Sequence, residues 1–390
     1  MGGSLLSSAE VGVKISKWMY HIRKFNVADA EMWKAEINRD MENVEFDQDL
    51  KLYKQLVDYR HDIMLSHVKP INVTREYVDF GELSHEIEFQ NKEMSGLLHY
   101  YAYLFRGMSE FRNGNFVVAI TYYKQAEKYV VNVKDEAEKA EYYFKLAEVY
   151  YNMKQTYFSM HYAVLARDTY RNINNYGNEV ARCQFVIAGN LLDAERHNEA
   201  LDIFKAALDY IKSGGDHYFL GLAYYNVGMC LHQMGRLNDA LGYLDESIKI
   251  YRRENSHNLK RALFTKAHVL YKLDRDTEAN VLCCEGEDLC KKFEDELTSA
   301  KYKFLKHLYI EKENSCKIEG DLRILEENDH LADVEELAID AADYYTRIGR
   351  LEEANKLYKK SILTRKEIQR GGIFCEDYDG SGNVNFFSRT

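Results

Sequence analysis

Residues 223–247 read AYYNVGMCLHQMGRLNDALGYLDES. Within this stretch Gly228, Ala240, Leu244 and Ser247 follow one another at spacings of twelve, four and three, with a Met234-Gly235 turn between the first two. Two helices joined by such a turn pack closely only where one backbone offers a small residue opposite a large one of its partner. The order recurs along the chain. Ala119, Ser159, Ala200, Ala240, Ala279 and Ala354 lie at intervals of 40, 41, 40, 39 and 75 residues. Twelve positions before them stand Gly107, Ala147, Ala188, Gly228, Ala267 and Ala342. Four and seven positions after them come pairs such as Tyr123/Ala126, Ala163/Ala166, Phe204/Ala207 and Tyr358/Ser361. This is the tetratricopeptide pattern, stretched from a usual period of about 34 to about 40, which calls for longer helices. The interval of 75 hides one degenerate unit near 301–328. The reading is therefore all-α: six clear helix pairs and one poor one, about seven in all, over residues 96–370, stacked as a superhelix. A HEAT-type array would also give helical pairs but lacks this triad of small residues.

Composition agrees. The 390 residues contain one proline, Pro70, where ordinary usage of about 5% would give roughly 20. Proline removes a backbone donor and breaks helices, so a chain nearly free of it can be helical almost throughout. Aromatic residues are 13% and hydrophobic residues 46%, enough for a sizeable core. The net charge of −11 disfavours nucleic acid, which asks for a basic face, and favours protein partners or cationic ligands. No apolar run is long enough to predict a membrane span. The opening MGGSLLSSAEVGVKIS has no basic region ahead of an apolar stretch, and Leu6 breaks the myristoylation pattern. Seven cysteines, an odd number with no C-x-x-C, point to a reduced, cytoplasmic setting.

Residues 1–68 do not carry the repeat. Three apolar stripes, Val11/Ile15/Trp18/Ile22, Val27/Ala30/Trp33/Ile37 and Leu52/Leu56/Tyr59/Ile63, predict a three-helix bundle. Residues 69–95 read as a linker containing Pro70 and a connecting helix from about Gly81. Residues 371–390, rich in Gly and Asn, read as a flexible tail. In it, Asp377-Tyr378-Asp379-Gly380 resembles the start of an EF-hand loop, but the twelfth position is Ser388 rather than a bidentate acid, so a turn-rich tail is the better reading.

Motifs for nucleotides, serine hydrolysis or zinc hydrolysis are missing, and the 13 histidines lack ligand spacing; no cofactor or metal is expected. Cys283, Cys284 and Cys290 share one predicted helix and read as packing or surface cysteines. The first helices of the repeats would form a concave face presenting Glu148, Tyr151 and Asn152, then Arg182 and Asp193, then Tyr225, Asn226 and Met229, then Phe264, His268 and Tyr271. Asn226 offers both a donor and an acceptor to an extended peptide backbone, and Asp193 could pair with a cationic side chain. The structural alternatives are that Asn226 pairs with a neighbouring helix and Asp193 caps one. A generic scaffold or co-chaperone groove would carry basic clamp residues, whereas this face reads as acidic and aromatic. In Glu45-Phe46-Asp47-Gln48-Asp49-Leu50, Asp47 can cap the third helix. That puts Gln48 in the first, solvent-facing turn with Leu50 on an exposed face. A glutamine cannot act as nucleophile or base, but it can orient a water by donating and accepting at once.

Five stretches carry a family resemblance: FDQDLKLYKQLVDYRHDIMLSH (46–67), LLHYYAYLFRGMSEFRNGNF (97–116), DEAEKAEYYFKLAEVYYNMKQTYFSMHYA (135–163), RCQFVIAGNLLDAERHNEAL (182–201) and AYYNVGMCLHQMGRLNDAL (223–241). Nearly the whole chain resembles the Rap proteins of Bacillus-type bacteria. The resemblance implies a partner response regulator, whose aspartyl phosphate some members remove and which others sequester, and a short inhibitory Phr peptide in the repeat groove. It implies that Gln48, flanked by Asp47 and Asp49, is the catalytic glutamine, with Leu50, Tyr59, Asp135 and Glu138 as further regulator contacts. It also implies that Asp193 and Asn226 hold the peptide, whose frequent basic residue suits Asp193. The magnesium ion of the reaction belongs to the regulator. Phe46 stands where an acid is common in the family, with Glu45 beside it.

Overall fold

The computed structural model describes residues 6–44, 47–68, 95–214, 219–328 and 330–373. Pro70, the linker and connecting helix expected over 69–94, Glu45 and Phe46, and the EF-hand-like tail all lie outside the described residues. Three helices come first: α1 (Ser8–Arg23), α2 (Val27–Asp40) and α3 (Gln48–Val68). Seven helix pairs follow: α4 (Gly96–Arg112) and α5 (Phe116–Glu127), α6 (Glu136–Asn152) and α7 (Thr156–Arg171), α8 (Gly177–Asp193) and α9 (His197–Gly214), α10 (Leu220–Gln233) and α11 (Leu237–Arg253), α12 (Leu259–Lys272) and α13 (Asp276–Lys292), α14 (Glu296–Leu305) and α15 (Ser315–Glu326), and α16 (Leu331–Arg347) and α17 (Leu351–Ile373). The last helix thus runs through Gly371 and Gly372. No strand occurs among the described residues, only a single bridge between Leu6 and Val44. No described helix is long and apolar enough to cross a membrane.

The chain divides into two compact units, one of Met1–Val149 with Tyr157–Leu259, the other of Tyr150–Thr156 with Lys260–Thr390. In the first, the bundle core is the predicted one: Val11, Ile15, Trp18, Ile22, Ala30, Ile37 and Leu56 are fully buried, and Trp18 Nε1 donates to His61 Nδ1 at 2.9 Å. Val27 and Trp33 of the second stripe are only half-buried. The repeats close as the small residues require. Ala119, Ala126, Ser159, Ala163, Ala200, Ala207, Ala240 and Ser247 are completely buried, as are Tyr123 and Leu244. A Cβ on Gly107 would run into the Tyr123 ring, and one on Gly228 would stand 2.8 Å from Leu244 Cγ. Ser159 Oγ donates to the Ala147 carbonyl at 3.0 Å, tying the two small positions of one repeat together.

In the second unit Ala267, Ala279 and Ala342 are fully buried and Ala354 nearly so. Tyr358 is the exception: it is half-buried and donates to Asp343, while neighbouring Leu357 fills the core. The degenerate pair falls where the interval of 75 put it. Its first helix runs on into a π turn, Lys306–Ile310. Burial raises the thiols of Cys283 and Cys290 to about 11, so they pack as unreactive apolar groups, while Cys284 is exposed.

Six of the pairs turn on one left-handed residue at the same register: Gly114, Lys154, Glu195, Gly235, Asp274 and Gly349. A Cβ on Gly235 meets nothing within 4 Å, so Gly235→Ala isolates the backbone cost. Thermal or denaturant unfolding should show a loss of about 1 kcal/mol; an unchanged midpoint would mean the turn tolerates the side chain by relaxing.

Candidate functional site

The α3 N-terminus has the geometry its sequence predicted. Asp47 Oδ1 accepts the Leu50 backbone N–H at 3.0 Å, satisfying one of the helix's orphan donors. Gln48 opens the helix half-exposed, and its carboxamide makes no hydrogen bond among the described residues. Asp49 is exposed beside it, an acid well placed against the positive end of the helix. Leu50, expected on an exposed face, is only 6% exposed, and Tyr59 is 4% exposed as its apolar stripe predicted, so neither presents a free surface in this conformation. Both take part in the packing of α3, and the Tyr59 hydroxyl bonds Ser109 of α4.

Asp135 and Glu138 were expected near the same acidic surface. They stand at the start of α6, and both are engaged by the turn between α1 and α2. Arg23, the last residue of α1 and 8% exposed, reaches Asp135 at 2.8 Å and Glu138 at 3.1 Å. The Tyr101 hydroxyl donates to both Glu138 oxygens at 2.7 Å. Burial raises the Glu138 carboxyl, and Arg23 and Tyr101 hold it back only in part. Burial opposes the Arg23 charge too, but Glu138, Glu141 and Asp135 outweigh it, so the guanidinium stays protonated. A parallel pair, Arg60 with Glu141 at 2.7 Å, joins α3 to α6.

The next two residues continue the clasp. Lys24 Nζ meets Glu179 at 2.9 Å and lies 3.4 Å from the Tyr176 ring centroid. Phe25 adopts a left-handed φ of 54°, which turns its ring edge-on to Phe219 at 5.6 Å. Arg182 lies among three rings: 4.5 Å from Phe144, 5.2 Å from Phe219 and 5.6 Å from Phe25. Three consecutive residues therefore seat the bundle on the first helices of three successive repeats. Periodicity could not have found them, because none belongs to a stripe or repeat position. The available signal was charge: a basic Arg23-Lys24 turn against an acidic Asp135-Glu136-Ala137-Glu138 start in the same chain.

The remaining peptide candidates divide between the two units. In the first, Glu148 is half-buried and paired with Lys145 at 2.6 Å. Asp193 is exposed as the last residue of α8, where the helix dipole disfavours an acid. Tyr225 and Asn226 are 6% and 7% exposed, and Met229 is half-buried. Asn226 makes no side-chain hydrogen bond among the described residues, so it does not pair with a neighbouring helix. In the second unit, Phe264 stands edge-on to Tyr302 at 5.6 Å. His268 and Tyr271 depart from expectation: they are 3% and 1% exposed and belong to an internal network. His268 Nε2 lies 2.7 Å from Asp340, which also binds Lys272 and the Tyr309 hydroxyl. Tyr271 stacks on Tyr309 at 5.0 Å and donates to Asn280. Tyr151 is half-buried and Asn152 exposed at the end of α6.

The clasp gives a direct prediction. Arg23→Ala strands Glu138, whose side chain is 12% exposed, and losing one member of such a pair costs on the order of 3 kcal/mol unless the bundle moves off. Hydrogen exchange should accelerate in the α1–α2 turn and at the start of α6. Unchanged protection in both would show that the charges do not hold the bundle.

Residues 5–66 match the family model described as response regulator aspartate phosphatase H, N terminal, and residues 179–253 match a tetratricopeptide repeat model. Response regulator aspartate phosphatase A of Bacillus subtilis (strain 168) is 40% identical over 95% of this chain and 98% of its own length. A Rap protein crystallised with competence and sporulation factor is 36% identical and superposes with a TM-score of 0.85, over 93% of this chain and 99% of that one. The apo form of RapI is 33% identical, with a TM-score of 0.67 over 93% and 99%. With a bundle, a repeat array and relatives of this identity over nearly its whole length, the chain belongs to the Rap family.

Proposed function

We propose that this protein binds a bacterial response regulator in the cytoplasm and hydrolyses the regulator's aspartyl phosphate, and that a short cationic peptide bound to the repeats switches it off. The observation that carries the catalytic half is Gln48, set by the Asp47 cap at the mouth of α3 with an unengaged carboxamide. Its oxygen accepts from a water while its N–H donates to the phosphoryl group, which holds the water in line for attack. The regulator supplies the magnesium ion and the leaving carboxylate. Asp49, next to Gln48, is a further regulator contact. The repeat side rests on Asn226 and Asp193. Asn226 offers both a donor and an acceptor to the peptide backbone, and Asp193 meets a basic side chain.

Switching follows from the clasp. With the bundle seated, Arg23 occupies Asp135 and Glu138 while Leu50 and Tyr59 are covered. A regulator that needs those groups competes with the clasp, and a peptide favours the seated state only by binding it better than the unseated one. Bacterial family relatives that carry phosphatase names favour hydrolysis over sequestration, and over a generic scaffold role.

Gln48→Ala should slow phosphate loss from a phosphorylated regulator on the order of 100-fold, the usual cost of removing one preorganised polar group, while regulator binding persists. Equal binding with equal hydrolysis in both proteins would remove Gln48 from the chemistry. For the repeats, Asn226→Ala and Asp193→Asn should each weaken a basic pentapeptide by about 10- to 100-fold, as expected for one lost buried or charge-assisted hydrogen bond. Unaltered titrations would place the peptide elsewhere.

A further inference from the structure

In the second unit the degenerate pair departs from its neighbours in more than sequence. Its first helix passes into the π turn Lys306–Ile310, where the other pairs use a three-residue turn. The Glu311 N–H still finds the Lys306 carbonyl at 3.0 Å and the Glu313 N–H finds that of His307 at 2.9 Å, so the irregular backbone is bonded, not frayed. Single π turns are rare and often mark functional positions.

This turn borders a cavity of about 540 Å³, lined by Glu287, Lys291, Ser299, Lys303, Lys306, His307, Lys317, Asp321 and Ile324. Four lysines thus face one space in a chain of net charge −11. Lys291 leans on Asp288 at 3.2 Å and Lys306 only distantly on Glu311, at 3.8 Å. Lys303 and Lys317 have no ion pair among the described residues. Of the two lining carboxylates, Asp321 is already bonded to His307 Nδ1 at 2.6 Å, which fixes the ring at the cavity wall; Glu287 is the other. Asp321 also feels the charges of Lys303 and Lys317, but four lysines outnumber the two lining carboxylates, and an added anion relieves the excess of like charge. His307 is the one aromatic ring in the lining, and its bond to Asp321 holds it at the wall.

We propose that this pocket binds a small multiply charged phosphate anion, with pyrophosphate matching the excess of lysine over carboxylate in its lining. Lys303 and Lys317 supply charge balanced in the free protein only by the one Asp321 carboxylate, Lys291 and Lys306 turn from their surface partners toward the ligand, and the Ser299 hydroxyl offers a directional donor. Lysine acts in such a site as a point charge.

The test is calorimetric titration of the full chain with sodium pyrophosphate, inorganic phosphate and, at matched ionic strength, sodium sulfate. The expected result is saturable pyrophosphate binding, weaker phosphate binding and weaker or absent sulfate binding. The double variant Lys303→Gln/Lys317→Gln should lose at least tenfold in pyrophosphate affinity; both lysines are exposed, and circular dichroism checks that the helices persist. No saturable heat, an equal response to sulfate, or full affinity in the double variant would overturn the proposal.

Discussion

The helix pairs that carry the repeat depend on small side chains at fixed registers. Gly107 makes room for Tyr123, and Gly228 for Leu244; the alanines and serines of the other registers are buried, most of them to the last atom. Because this constraint repeats, the first helices of successive pairs recur in register. Residues separated by whole repeats, such as Arg182 on α8 and Asn226 on α10, then lie on corresponding helices. Their position is a consequence of the packing rule rather than of any local motif.

Against that scaffold the bundle is held by few residues. The Arg23-Lys24-Phe25 turn brings two cations and a ring to the repeats, and Arg60 adds a third cation. The pairs are substantially buried, which makes them strong when both members are present and costly when one is lost. Such an interface has a steep all-or-none character. It suits a protein that must either keep its bundle seated or release it to another partner.

Much of this was legible in the sequence, for stated reasons. The repeat signal survived because each copy obeys the same steric rule, and even the degenerate pair was located by the gap it left. The bundle stripes and the Asp47 cap were legible because helical periodicity and capping are local. Leu50 was misplaced because exposure of a bundle helix depends on what docks against it, which no local pattern encodes, whereas Tyr59 is buried as its apolar stripe predicted. His268 and Tyr271 carried the right register for an inward face, yet Asp340 and Tyr309, far away in sequence, draw them into the core. The clasp was missed because its parts lie over a hundred residues apart and are linked only by complementary charge.

The central claim is hydrolysis of an aspartyl phosphate, and its most direct measurement is the half-life of that phosphate. A panel of response regulators, each phosphorylated and then incubated with or without the purified protein, would be followed for phosphate retained on the regulator. The account predicts that at least one loses its phosphate many times faster in the presence of catalytic amounts of the protein, and that inorganic phosphate appears in step. Half-lives unchanged across a panel whose members demonstrably bind would contradict it and leave sequestration as the activity.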